Sequence, residues 1–179
     1  MLKIRQTIKA IFGSILVFAS SVALADSYLG ISVGQFDSKA ESLETDFDKS
    51  TSYILSAGKR LNEQLATELS YFDSGKGGDD DDPEWDIYAD GFSFHAIGLI
   101  GSSLYAKLGF TSYDVTLDIN DAPCCGITGN IEESETYLSY GVGALFDITE
   151  GLPLKLDTKV INTDGSDPTN VNLGLQFNL

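Results

Sequence analysis

Basic side chains are scarce in this sequence: eleven Lys and Arg residues stand against 27 Asp and Glu residues. Such an acidic chain repels phosphate groups, which excludes nucleic acid as a partner. Long apolar runs are scarce too, since the one candidate covers residues 10–18 and a membrane-spanning helix needs about 20 residues. Pro-rich and Ser-rich linkers are absent, which favours a single domain. Nucleotide-binding loops, metal-ligand clusters and catalytic triads are absent as well, so no motif indicates an enzyme.

The first 25 residues have the composition of a secretory signal peptide. Three basic residues precede the apolar run, and small residues ending in Ala23-Leu24-Ala25 follow it. The alternative is a retained membrane anchor, for which the apolar run is short. We therefore expect a signal peptide at residues 1–25 and one domain at residues 26–179. Cleavage would leave eight basic and 27 acidic residues, a net charge of −19.

In much of the chain, apolar residues alternate with small or polar ones, and this two-residue period is that of a β-strand. From Phe92 to Tyr113 it sets apolar residues on one face and small, polar or charged residues on the other. Equivalent patterns define eight segments: 27–36, 52–60, 65–72, 92–100, 104–113, 137–146, 154–160 and 170–179. Short turns at 61–64, 101–103 and 149–152 alternate with long polar connections at 37–50, 75–86, 118–135 and 162–168. This order predicts an all-β fold, an eight-stranded antiparallel up-and-down transmembrane β-barrel preceded by the signal-peptide helix.

The same alternation also fits a soluble, lipocalin-like barrel with its apolar residues inside, and three features favour the membrane barrel. The polar face is rich in glycine and serine, which suits a crowded, narrow interior. The few charges on that face nearly balance, so they can pair inside a closed lumen. The last predicted strand runs to Leu179, where it can pair with the first strand and leave no open edge.

Four segments carry a resemblance to a known family. They are Ser27 to Gly34 in the first predicted strand, Leu65 to Tyr71 in the third, Ser103 to Gly109 in the fifth and Gly141 to Ala144 in the sixth. In their order and spacing they resemble the OmpA-like outer-membrane β-barrel domain of Gram-negative bacteria. The resemblance implies a barrel anchored in the outer membrane, a lumen plugged by charges and water, and loops that face outward. It also implies outer-membrane lipid, the barrel-assembly machinery and periplasmic chaperones as partners.

The chain departs from that family's pattern in two places. It ends in Leu179, where the assembly signal usually has an aromatic residue, and Phe177 is the nearest one. We therefore expect less efficient recognition by the assembly machinery. The chain also lacks the peptidoglycan-binding domain of the longer members, so the resemblance implies no role in tethering the cell wall.

Six charged residues fall on the predicted lumen face: Arg60, Glu68, Lys107, Lys155, Asp157 and Lys159. A network of such charges can act as a gate that opens a narrow pore, above all through Glu68, Lys107 and Arg60. It can also act as a plug that only stabilises the barrel. Eight strands leave an interior that side chains can fill, which favours the plug.

Carboxylates are concentrated in the second long connection, at Asp79, Asp80, Asp81, Asp82 and Glu84. Calcium takes several carboxylate and carbonyl oxygens as ligands, but a consecutive run is not the spaced loop of calcium-binding modules. We expect no resident cofactor and assign no metal site. Weak, loose association of Ca²⁺ or Mg²⁺ with these acidic loops is the most that the pattern supports.

The two cysteines, Cys124 and Cys125, are adjacent in the third long connection. In an oxidising compartment they can form a vicinal disulfide, link to a second chain or remain free thiols. The sequence leaves all three states open.

The single histidine, His95, shares a strand face with Ser93. A serine and a histidine on one barrel strand resemble the pair of the outer-membrane lipid A deacylases, which must reach lipid. Because both residues fall on the polar face, we expect a hydrogen-bonded structural histidine in the lumen and no enzymatic activity.

These observations predict an outer-membrane β-barrel with a structural and surface-interaction role through acidic extracellular loops. A narrow gated pore for ions or small solutes is the first alternative. A soluble periplasmic binding barrel is the second. The sequence does not indicate which extracellular partner the loops meet.

Overall fold

The computed structural model describes residues 26–37, 49–79, 84–120, 129–163 and 167–179. Eight strands follow one another along the chain: β1 (Ser27–Asp37), β2 (Ser50–Arg60), β3 (Leu65–Asp79), β4 (Glu84–Ile100), β5 (Leu104–Asn120), β6 (Gly129–Thr149), β7 (Leu152–Asn162) and β8 (Thr169–Asn178). Within these ranges no helix is long and apolar enough to cross a membrane. The expected signal peptide lies outside the described residues, as do both cysteines.

The eight strands form one closed antiparallel barrel, in which each strand pairs with its neighbours in sequence. Pairing of β1 with β8, from Tyr28 opposite Asn178 to Asp37 opposite Thr169, closes the wall. Tight turns join β2 to β3, β4 to β5 and β6 to β7. We call the end with these three turns the turn end, and the opposite end the loop end. At the turn end Gly101 and Gly151 have φ of 68° and 80°, a conformation that glycine adopts without steric cost.

The barrel is apolar outside and polar inside. Large apolar side chains are exposed all round the wall, among them Leu29, Ile31, Leu55, Phe94, Leu108, Phe110, Val142, Leu156 and Leu173. Buried polar side chains fill the lumen, among them Ser32, Ser56, Ser70, Thr111, Ser139, Asn170, Asn172 and Gln176. A soluble barrel has the opposite distribution, so the outer belt of this barrel is a surface for lipid.

The middle strands extend further towards the loop end than the sequence indicates. The connections expected at 75–86 and 118–135 are partly strand, because β3 to β6 continue through much of them. Above Leu138, the described part of β6 pairs with β5 alone, since β7 ends at Asn162 opposite Leu138. In β4 and β5 an apolar alternation continues into these extensions, as Trp85, Ile87 and Ala89 and as Val115, Leu117 and Ile119, but at positions that continue the predicted lumen face. The sequence did not predict the extensions because the lipid-facing apolar pattern stops where they begin. The barrel wall is therefore taller on the side of β3 to β6.

Two lumen-facing glycines accommodate tyrosine rings near the turn end. Gly58 lies opposite Tyr28 in the ladder of β1 and β2, and Gly143 lies opposite Tyr105 in that of β5 and β6. Both tyrosines are buried, and each ring lies so close to its glycine that an added Cβ would overlap ring atoms. The packing therefore requires a residue without a side chain at both places.

We expect Gly58→Ala to lower the free energy of unfolding by about 1–3 kcal/mol, because the added methyl group displaces a packed ring. The matched control is Gly98→Ala, where the nearest atom to an added Cβ is the Ala106 carbonyl oxygen at 4.0 Å. There we expect a change below about 1 kcal/mol. Urea titration of the barrels folded into lipid vesicles measures both values. Equal destabilisation would show that ring packing does not explain the glycine at position 58.

Candidate functional site

The lumen has an apolar or aromatic cluster at each end. The turn-end cluster consists of Tyr28, Ala66, Ile97 and Tyr105, with Leu99 and Leu145 packed against it. The loop-end cluster consists of Phe36, Phe72, Ala89 and Ile161, with Ile54, Tyr113 and Tyr137 packed against it. Ring contacts run across the loop-end cluster, from Phe36 to Phe72 at 6.1 Å and from Phe72 to Tyr113 at 6.3 Å between centroids. Between the two clusters lies a layer of buried polar and charged side chains.

Two short ion pairs occupy the centre of that layer. Lys155 Nζ lies 2.6 Å from Glu68 Oε2, and Lys107 Nζ lies 2.6 Å from Asp157 Oδ1. Lys155 Nζ also lies 3.7 Å from Asp157 Oδ2, which joins the pairs into one network. The Tyr28 hydroxyl donates to Glu68 Oε2 at 3.2 Å and so ties the network to the turn-end cluster. All four charged side chains are buried, so each charge depends on its partner for compensation.

Strand β7 supplies half of these charges because of its alternation. Lys155, Asp157 and Lys159 are two residues apart, so all three point into the lumen while Leu154, Leu156 and Thr158 between and beside them point outward. Glu68 and Lys107 enter from β3 and β5 across the lumen. The network therefore connects three strands that are not neighbours in the wall.

Lys159 differs from the other two lumen lysines because it forms no ion pair with any described residue. Its Nζ donates to Ser93 Oγ at 3.2 Å and lies 4.0 Å from the centroid of the Phe72 ring. The side chain is 2% exposed. A cation–π contact and one neutral hydrogen bond are weaker compensation than a carboxylate provides.

A chain of hydroxyl groups crosses the lumen beside Lys159. Ser93 Oγ lies 2.8 Å from Thr111 Oγ1, Thr111 donates to Ser139 Oγ at 2.8 Å, and Ser139 Oγ lies 2.9 Å from His95 Nε2. His95 therefore forms a hydrogen bond with Ser139, and not with Ser93, its neighbour on the same strand face. Each of these side chains is at most 1% exposed, so none of them faces a surface where a substrate could bind. The geometry is that of a buried structural network.

Of the other sequence-predicted site residues, Arg60, Asp79 and Glu84 lie within the described ranges. Arg60 ends β2 at the turn end, where it is exposed and forms no ion pair with a described residue; its backbone N–H donates to the Asp26 carbonyl oxygen at 2.8 Å. Its long side chain reaches water there because the strand stops. Asp79 is the last residue of β3 and Glu84 the first of β4, while residues 80–83 lie outside the described ranges. Wherever side chains are described, no cluster of His, Cys, Asp or Glu has the arrangement of a metal site.

A row of three aspartates crosses the outer surface just above the apolar belt. Asp73, Asp90 and Asp114 lie directly opposite one another in the ladders of β3, β4 and β5. Below them, the rings of Tyr71 and Phe92 are in contact, and the Tyr71 hydroxyl donates to Asp90 Oδ2 at 3.2 Å. Burial raises the pKa of the Asp90 carboxyl above its ordinary value of 3.8, the hydrogen bond from Tyr71 opposes that rise, and Asp114 and Asp73 add to it. This row could not be predicted from the sequence because it depends on strand register, which the alternation does not specify.

The sequence matches a known family, and the fold is similar to solved structures of other barrels. The family model described as "Outer membrane protein beta-barrel domain" matches residues 10–178. Among curated proteins, none matches this sequence. Among solved structures, Ail, the attachment invasion locus protein of Yersinia pestis, in complex with the heparin analogue sucrose octasulfate, is similar with a TM-score of 0.64 and 14% identity, covering 84% of this chain and 96% of that one.

Two further barrels are similar at comparable coverage. Neisserial surface protein A has a TM-score of 0.58 and 18% identity, over 87% of this chain and 98% of that one. A major outer membrane protein of Thermus thermophilus has a TM-score of 0.59 and 11% identity, over 84% of this chain and 98% of that one. Likeness at these identities concerns the fold alone.

We expect Glu68→Gln to lower the free energy of unfolding by about 3–5 kcal/mol, because it leaves the buried Lys155 ammonium without its closest carboxylate. Lys155→Met removes the lysine in contact with the buried Glu68 carboxylate and should destabilise the barrel as well. The double variant should be more stable than either single variant, since it buries neither unpaired charge. Lys49→Met is the control: its pair with Asp37 at 3.9 Å is exposed and contributes less than about 1 kcal/mol. A double-mutant cycle from urea titrations that yields no coupling between positions 68 and 155 contradicts the ion pair.

We expect Asp90→Asn to stabilise the barrel at neutral pH by about 0.2–1 kcal/mol, because like charges directly opposite one another in a ladder destabilise a sheet. Because the pKa of Asp90 is raised in the folded state, its ionised carboxylate lowers the free energy of unfolding at pH values above that pKa. This destabilisation disappears as the pH falls and the carboxyl group becomes protonated. The stability difference between wild type and variant should therefore shrink from pH 7 to about pH 4. Urea midpoints at several pH values measure it. A difference that stays constant across this range would be evidence against repulsion within the row.

Proposed function

This chain belongs to the family of outer membrane β-barrel proteins and is located in the outer membrane, and from that premise we propose that it acts at the cell surface through an acidic loop end, on a barrel that does not conduct. In this family type, short turns face the periplasm and longer loops face outward. The loop end is then the extracellular end. The belt of exposed apolar side chains is the surface in contact with membrane lipid.

The pair of buried side-chain clusters in the lumen is the observation that carries this proposal. An ion moving along the barrel axis would have to pass both the loop-end cluster and the turn-end cluster, with the paired lysines and carboxylates between them. Opening a path would require rearrangement of buried rings and separation of buried ion pairs, each of which costs several kcal/mol. The groups that can meet other molecules are therefore those at the two ends, and only the loop end faces outward.

The charge of the loop end supports the second half of the proposal. Residues 73–90 and 112–135, which form most of the tall part of the wall and its connections, carry fourteen carboxylates and one lysine. Three of the carboxylates form the aspartate row on the outer surface. A surface of one sign attracts molecules of the opposite sign and repels those of the same sign. We therefore infer a cationic partner, such as a basic protein surface, and loose screening by Ca²⁺ or Mg²⁺ in its absence.

The same charge argues against a sulfated sugar as the partner. Ail is described in complex with a heparin analogue, which is a polyanion. A loop end with fourteen carboxylates in residues 73–90 and 112–135 would repel such a ligand. We further propose that the barrel-assembly machinery and periplasmic chaperones deliver the chain to the membrane, as the need to insert a closed barrel implies.

The test of the surface role uses cells or lipid nanodiscs that display the folded barrel. We expect binding to polylysine-coated surfaces that weakens as salt rises, and no binding to heparin-coated ones. Replacing Asp79, Asp80, Asp81 and Asp82 by asparagine should reduce the polylysine binding several-fold. The control replaces Glu63 and Glu150 at the turn end by glutamine and should leave binding unchanged. Binding to heparin, or polylysine binding that is insensitive to the four substitutions, would contradict the proposal.

The test of the closed lumen is electrical. Planar lipid bilayers containing the purified wild-type barrel should show no single-channel currents. Glu68→Ala is the variant in which currents are most expected, because it removes the carboxylate that joins Lys155 to the Tyr28 hydroxyl. Regular currents in the wild type would overturn the non-conducting assignment and favour the narrow pore.

A further inference from the structure

The charges within the described lumen do not balance. Three lysines, Lys107, Lys155 and Lys159, face two carboxylates, Glu68 and Asp157, and none of the five is more than 6% exposed. The ion pairs engage four of these groups. Lys159 remains, and among the described residues its close partners are the Ser93 hydroxyl and the Phe72 ring. A buried charge without a counter-charge is costly, so the site calls for a negative group that the described side chains do not supply.

Two buried amides on the same lumen face, Asn170 and Asn172, have NH2 groups without a partner among the described residues. The Ser52 hydroxyl donates to Asn170 Oδ1 at 2.9 Å, which fixes the orientation of that amide, and its oxygen lies 3.2 Å from Asn172 Oδ1. Their Nδ2 groups have no hydrogen-bond acceptor among the described residues, although both side chains are only 1% exposed. Asn170 lies directly opposite Lys159 in the ladder of β7 and β8, on the same lumen face, so their Cβ atoms are about 5 Å apart. Positive charge and unused N–H donors therefore occur together.

We propose that the lumen holds one small monovalent anion, of the size and charge of chloride, beside Lys159 and Asn170. The Lys159 ammonium supplies the counter-charge, and the amide N–H groups of Asn170 and Asn172 supply the hydrogen bonds. Asp157, which lies opposite Asn172, does not repel the anion strongly because Lys107 and Lys155 neutralise it. With the anion in place, the lumen carries three positive and three negative charges.

The surroundings favour a small ion over a larger one. Two members of the loop-end cluster border this position: Phe36 is opposite Asn170 in the ladder of β1 and β8, and the Phe72 ring covers Lys159 Nζ. The ion pairs of the central layer lie below it. A phosphate or a carboxylic acid would have to displace these groups, whereas a halide replaces little more than one water molecule.

The first experiment is diffraction from crystals of the folded full-length mature barrel grown with bromide in place of chloride. We expect one anomalous peak in the lumen within hydrogen-bond distance of Lys159 Nζ. Lys159→Met should lose the peak, and Lys49→Met, which makes the same charge change at an exposed position, should keep it. Density at this place without anomalous signal would identify a water molecule and overturn the proposal. A peak that persists in Lys159→Met would overturn it as well.

A second variant keeps the proposal testable where Lys159→Met fails to fold. Asn170→Asp places a carboxylate opposite Lys159, so it should replace the anion, abolish the bromide peak and still give a folded barrel. In urea titrations at constant ionic strength, the wild-type midpoint should be higher in chloride or bromide than in gluconate, because a ligand bound only by the folded state stabilises it. The midpoint of Asn170→Asp should be the same in all three salts. Equal wild-type midpoints together with an empty lumen in bromide crystals would overturn the anion site.

Discussion

Closure of the sheet is the constraint on which the rest of this structure depends. In a lipid environment a backbone N–H or C=O group without a partner costs several kcal/mol, so the pairing of β1 with β8 is required along the whole apolar belt. A closed wall of eight strands leaves a lumen too narrow to be empty. Small residues are therefore needed where rings cross the lumen, as at Gly58 beneath Tyr28. The apolar exterior and the crowded interior follow from one topological requirement.

The interior in turn limits what the protein can do. Charged side chains in a lumen of this width must compensate one another, and the pairs of Glu68 with Lys155 and of Asp157 with Lys107 do so across strands that are not adjacent. They connect opposite parts of the wall and lie between two apolar clusters. Such an interior stabilises the barrel, and under the proposed surface role it leaves recognition to the two ends.

Much of the wall could be predicted from the sequence, because a lipid-facing strand carries a strict alternation. The spacing of Lys155, Asp157 and Lys159 at every second residue is enough to place all three in the lumen. Their partners could not be predicted, since which residues meet across the lumen depends on the register of several strands. The row of Asp73, Asp90 and Asp114 depends on register in the same way. The upper parts of β3 to β6 could not be predicted from the lipid-facing pattern, because that pattern stops above the apolar belt. On β5, for example, the apolar residues Val115, Leu117 and Ile119 fall at positions of the lumen face instead.

Because the wall is taller on the side of β3 to β6, the barrel presents different surfaces to neighbouring molecules on its two sides. The nine residues of β6 above Leu138 extend about 30 Å along the strand at ~3.3 Å per residue, and a tilt of about 40° converts this into a rise of some 20 Å. The opposite side, formed by β7, β8 and β1, has no such extension in the described residues. Rotation of the barrel about the membrane normal therefore changes which neighbouring molecules contact the tall side formed by β3 to β6. Packing against neighbouring molecules in the outer leaflet can thus control whether a partner reaches the acidic side chains of β3 to β6, without any change in conformation.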